Sequence, residues 1–127
     1  MSRAALIAVA LLACAPGRWE SRRARHPATK EELASCRVTV VADEPLRDEL
    51  KQALARQGFG VVEHPAWHGD LELKAAPGLA VLHSDDFFVD QVRASDAAGM
   101  AQALAVSRRV RDFVRNGGTV QQRDVVQ

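Results

Sequence analysis

The stretch "RVTVVADEPLRDELKQALARQGFGVVEH", residues 37–64, constrains the fold of this chain more than any other. Its β-branched, mostly apolar opening at 37–42 reads as a strand buried on both faces or nearly so. Asp43 can accept from the open amides of the next turn, and Pro45 suits a first helical turn, where no amide hydrogen is needed. A helix is therefore expected over 44–57, with Leu46, Leu50, Ala53 and Leu54 on one stripe and Gly58 at its C-terminal stop. Residues 59–64 are then the return strand, and a unit of this kind crosses over right-handedly with its two strands parallel.

Beyond "PAWHG" the expected connections become antiparallel. Leu71 and Leu73 alternate with Glu72 and Lys74, the half-exposed pattern of an edge or one-sided strand at 70–75. Pro77 and Gly78 are the residue types that a type II turn takes at its centre. A more buried strand at 79–83, a turn at Ser84, Asp85 and Asp86, and a strand at 87–92 complete a meander. Ser95 or Asp96 caps a last helix over 97–115, with Met100, Ala103, Leu104, Ser107, Val110 and Val114 sharing one face. Asn116, Gly117 and Gly118 end it, and 117–127 is a polar tail, either frayed or one added edge strand. The architecture that satisfies all of this is a two-layer α+β sandwich in the order β-α-β-β-β-β-α, with five strands and two helices on one face. The opposite sheet face is left to solvent or a partner, with solvent the default because strand 70–75 alternates.

The N-terminal third follows different rules. Ala4–Ala13 is a run of ten apolar residues, against the roughly 20 that a membrane-spanning helix needs, and Pro16, Gly17 and Arg18 stop any extension. A short apolar core behind Arg3 and followed by small residues has the architecture of a secretory signal peptide. Its last four residues, Leu11, Leu12, Ala13 and Cys14, resemble the lipobox of bacterial lipoproteins, a resemblance that covers only residues 1–14. It implies cleavage between Ala13 and Cys14, a diacylglyceryl group on the Cys14 thiol, and acylation of the new amine by a chain such as palmitate. It further implies attachment to the cell envelope. Ala15, where an aspartate would favour inner-membrane retention, leans toward the periplasmic face of the outer membrane. Two or more acyl chains hold a protein firmly where one binds only marginally, so such an anchor needs no spanning helix.

On this reading residues 1–13 are a cleaved signal, 14–35 a lipidated cysteine with a flexible basic tether, 36–116 the globular domain and 117–127 a tail. The segment 15–35 carries five basic and three acidic residues and little apolar periodicity. Arg18, Arg22, Arg23 and Arg25 are within its reach of anionic headgroups, though a solvated linker explains them as well. Thr29 and Glu32 have capping-box spacing, enough for one helical turn over Lys30–Ser35. Cleavage would leave 16 basic against 16 acidic residues, a balance that argues against a nucleic-acid partner. With Cys14 lipidated, Cys36 at the threshold of an apolar strand reads as a small buried hydrophobe; without lipid, a Cys14–Cys36 disulfide competes.

Candidate chemistry is sparse. "HPAWHGD" places His64, His68 and Asp70 within seven residues, and His83, Asp85 and Asp86 lie one hairpin away. Imidazoles and carboxylates bind zinc, but Pro65 precludes a regular helix presenting both histidines, and exposed loop histidines are the simpler account. Turn chemistry alone explains Asp85 and Asp86. There is no nucleophile elbow and no phosphate loop. Arg108, Arg109, Arg111 and Arg115, expected in the last two turns of the final helix, would offset its negative dipole end or meet an acidic partner. The order of elements behind a lipidated cysteine is similar to small envelope lipoproteins of the lipopolysaccharide-assembly type and to α/β modules that join periplasmic complexes. The resulting expectation is a non-enzymatic binding or assembly module with no cofactor beyond its covalent lipid, its partner an envelope protein or glycolipid. The alternative is a small metal-binding or hydrolytic lipoprotein built on the histidine and aspartate loops.

Overall fold

The computed structural model describes residues 22–62, 71–84 and 87–116. The chain is an α+β fold on a five-stranded mixed sheet: β1 (Arg37–Val41), β2 (Gly60–Val61), β3 (Leu71–Ala76), β4 (Leu79–Ser84) and β5 (Phe87–Arg93). The helices are α1 (Lys30–Ala34), α2 (Leu46–Gln57), α3 (Ala97–Ala105) and α4 (Arg108–Arg115). Strand order is β2-β1-β3-β4-β5, with β1 parallel to both β2 and β3 and the remaining pairs antiparallel. The expected β1-α2-β2 unit and the meander β3-β4-β5 are both present.

Register explains the core. Val40, Leu73, Leu82 and Asp90 form one cross-strand row on the helix-bearing face; Val38 with Leu71, and Ala75 with Ala80 and Val92, flank it. These rows pack against Leu50, Ala53 and Leu54 of α2 and Met100, Ala101 and Leu104 of α3. Because the helices cover one face only, β1 alternates instead of being buried on both sides: Val38 and Val40 are buried while Val41 is 45 % exposed. Cys36 lies in this core, as expected of a small hydrophobe.

Helix α2 starts two residues later than the sequence suggests. Pro45, after a cis Glu44–Pro45 peptide, occupies the N-cap position. The Asp43 carboxylate is not the cap: Glu44 Oε1 accepts from Asp48 N at 3.0 Å, and the Asp43 carbonyl accepts from Arg47 N. Gly58 ends the helix at φ +110°, and a Cβ there would meet Lys30 at 3.3 Å, so both backbone and space call for glycine. Gly78 has the positive φ that the expected Pro77–Gly78 turn requires.

Two further expectations are corrected. The single helix over 97–115 is broken: α3, capped by Asp96 through Gly99 N at 2.8 Å, ends at Ala105, and Ser107 stands extended at φ −67°, ψ 134° before α4. Ser107 Oγ accepts from Val110 N, offering the backbone a cap in place of continued helix. The break is held from outside by an antiparallel bridge between Arg23 and Ser107, in which Ala24 N donates to Val106 O at 2.8 Å and Arg108 N to Arg22 O at 2.7 Å.

The tether boundary at 36 moves for the same reason. Residues 22–35 pack on the domain, with Ala24 5 % and Leu33 2 % exposed. The Thr29–Glu32 capping box is formed as its spacing suggests, Thr29 N to Glu32 Oε1 at 2.8 Å and Glu32 N to Thr29 Oγ1 at 3.2 Å.

Candidate interaction surfaces

Two surfaces and one buried polar pair emerge from this frame. The first is the sheet face that carries no helix. Two cross-strand rows cross it, Thr39–Glu72–His83–Phe88 and Val41–Lys74–Val81–Gln91. Glu72 and Lys74 tie the rows together at 3.6 Å, and Phe88 meets His83 edge-on with ring centroids 6.5 Å apart. A register shift between Leu82 and His83 brings Phe88 to this face. The extra residue, Val89, turns inward with Asp90, so Phe88 stands opposite His83 and is 39 % exposed instead of joining the core. At the carboxyl end of β1 and β3 lies an open groove of about 420 Å³ lined by Val41, Ala42, Asp43, Lys74, Leu79 and Val81. The face is thus mixed: half-exposed apolar side chains punctuated by one ion pair.

The second surface is the arginine-bearing helix, where the expected dipole role is corrected. Because the chain breaks at Ser107, Arg108 and Arg109 begin α4, at the positive end of its dipole, and only Arg115 lies in its last turn. Arg115 Nε donates to Glu32 Oε2 at 3.0 Å, joining α4 to α1, and Arg111 Nη2 donates to Asp112 Oδ1 at 2.8 Å. The Arg115 guanidinium, aided by the Thr29 amide, holds the Glu32 carboxyl well below its usual range, at about 2, while Glu32 in turn raises Arg115. Arg111 and Arg115 are therefore committed within the molecule.

The third feature escaped sequence reading. Asp90 is fully buried, accepting from Ser107 Oγ at 2.5 Å and from Gln91 N at 2.8 Å. Both residues sit at positions patterned as core: Asp90 completes an apolar strand row, and Ser107 lies on the apolar stripe of the expected helix. Two polar residues assigned to buried faces each need a partner, which is the signal that links them.

Of the loop candidates, His83 is half-buried against Phe88. His64, His68, Asp70, Asp85 and Asp86 lie outside the described residues, as do Ala13 and Cys14. Among the described residues no three histidine, cysteine, aspartate or glutamate side chains converge as a metal site, and no helix is long and apolar enough to cross a membrane. The fold and these surfaces define a small one-sided α+β module. Comparisons with protein-family models, with curated proteins and with solved structures find no match.

Proposed function

We propose that this chain is a lipid-anchored bacterial envelope lipoprotein whose α+β domain is a non-catalytic binding or assembly module facing the periplasm. The observation that carries the reading is the sequence Leu11-Leu12-Ala13-Cys14 at the end of a ten-residue apolar run, too short to span a bilayer. The fold supports a binding role in a second way. One sheet face is covered by helices, and the other leaves Phe88 at 39 % exposure and Val41 at 45 % beside an open groove, a surface suited to an envelope protein or glycolipid.

Metabolic labelling with palmitate tests the anchor. The parent chain is expected to take up label and to accumulate as uncut precursor when lipoprotein signal peptidase is inhibited; Cys14→Ser is expected to remain unlabelled and uncut. Equal labelling of parent and variant, or an unmodified Cys14 thiol in the mass spectrum of the membrane-derived protein, defeats the reading.

A further inference from the structure

We infer that the paired segments 22–25 and 106–108 form a cationic surface that seats the domain directly on an anionic phospholipid bilayer. The inference rests on the lipid-anchor reading above and adds a second, electrostatic contact to it. The bridge that holds the helix break also gathers charge from opposite parts of the chain. Arg22, Arg23, Arg25 and Arg108 are all exposed, and the hydrogen bond from Arg108 N to Arg22 O sets Arg22 directly across from Arg108. Like charges opposite one another on paired backbone repel. Farther along α4, Arg111 and Arg115 meet Asp112 and Glu32. Among the described residues, no carboxylate lies within ion-pair distance of Arg22, Arg23, Arg25 or Arg108.

Charge is thereby segregated. Residues 14–127 carry 16 basic and 16 acidic side chains, so setting these four arginines aside leaves twelve against sixteen. A near-neutral chain with four exposed arginines grouped around one backbone bridge orients in a field of one sign. The surface also lies on the side from which an anchor would arrive. Only seven residues separate Cys14 from Arg22, and the eight Cα-to-Cα steps between them span at most about 28 Å when extended. A lipid on Cys14 would hold these arginines within reach of phospholipid headgroups, which favours a bilayer over a soluble acidic protein as occupant.

Each arginine near an anionic leaflet is expected to raise binding about fivefold. The full chain bearing Cys14→Ser, which cannot be lipidated, is sedimented with vesicles of phosphatidylglycerol and phosphatidylcholine, or of phosphatidylcholine alone. The second vesicle accounts for any pull from the apolar N-terminal run. The expected result is a preference for anionic vesicles on the order of several hundredfold, lost at high salt. It should fall by on the order of a hundredfold when Arg22→Gln, Arg23→Gln and Arg108→Gln are combined, and be kept when the same three become lysine. Urea unfolding of both triple variants should match the parent. Equal binding to the two vesicles, or undiminished preference in the glutamine variant, overturns the inference. So does retention on immobilised polyglutamate without vesicle preference, which assigns the surface to an acidic protein. The anchor is judged separately: palmitate on the parent without anionic preference sinks only the cationic surface, and preference without palmitate sinks only the anchor.

Discussion

Asp90 ends a row of apolar side chains, Val40, Leu73 and Leu82, and is the one carboxylate among the described residues with no exposure at all. Burying a carboxyl group is costly unless hydrogen bonds replace water, and Asp90 accepts from Gln91 N at Oδ1 and from Ser107 Oγ at Oδ2. Ser107 is engaged twice, since the same oxygen caps α4 through Val110 N at 3.1 Å. Ser107→Ala removes both bonds. Loss of an N-cap costs about 1 kcal/mol and leaving a buried acceptor without its hydrogen bond about 1–3 kcal/mol, so a destabilisation of about 2–4 kcal/mol is expected. Urea unfolding monitored by circular dichroism measures it. A variant within about 0.5 kcal/mol of the parent, the range of an ordinary surface substitution, would mean that this pair does not organise the helix break. Ser107→Thr retains the hydroxyl and should recover most of the loss.

At the scale of elements, α1 and α4 are two short helices that isolated peptides would not sustain, and each depends on the other. Glu32 both closes the α1 capping box and pairs with Arg115 near the end of α4. Its carboxyl ordinarily titrates near 4.5 and is held at about 2 in the folded chain, chiefly by the Arg115 hydrogen bond. A depressed carboxyl binds fewer protons folded than unfolded. Its stabilising contribution is therefore complete above 4.5 and lost as pH falls from there through about 2. Chemical unfolding between those two pH values should show the parent losing stability more steeply than Glu32→Gln; parallel slopes would remove Glu32 from the account. The capping box was legible from Thr29 and Glu32 alone because its partners are three residues apart. So were the order of strands and helices along the chain, a cap at Ser95 or Asp96, which the structure assigns to Asp96, and the Pro77–Gly78 turn, all local or periodic. What escaped reading depends on distant partners. The bulge at Val89 is defined only against β4, and the break at Ser107 needs Asp90 and residues 22–24, all far away in sequence. Once the helix is broken there, Arg108 and Arg109 move from a helix end to a helix start, and their electrostatic meaning inverts.

Across the whole molecule, these distant contacts mean that the segment before β1 closes the fold. Ala24 and Leu33 are buried, Ala24 and Arg22 hydrogen-bond with the backbone at the α3–α4 break, and Glu32 holds the far end of α4. Helix α4 supplies Val110 and Phe113 to the same core, so its position and that of residues 22–35 are coupled. A chain starting at residue 36, where composition alone places the domain boundary, should lack this closure. Leu33 by itself accounts for about 1.5–3 kcal/mol of lost burial. The unmade backbone bridge and the unpaired Arg115 add to that, and marginal domain stability is of the order of 5–15 kcal/mol. The shortened chain is expected to show a broadened, lower-midpoint urea transition and accelerated amide exchange over α4, while a chain starting at residue 22 keeps the parent's midpoint. If both truncations unfold alike, residues 22–35 are a tether after all; if they differ as expected, any lipid at Cys14 is joined to the folded surface by no more than the residues before Arg22.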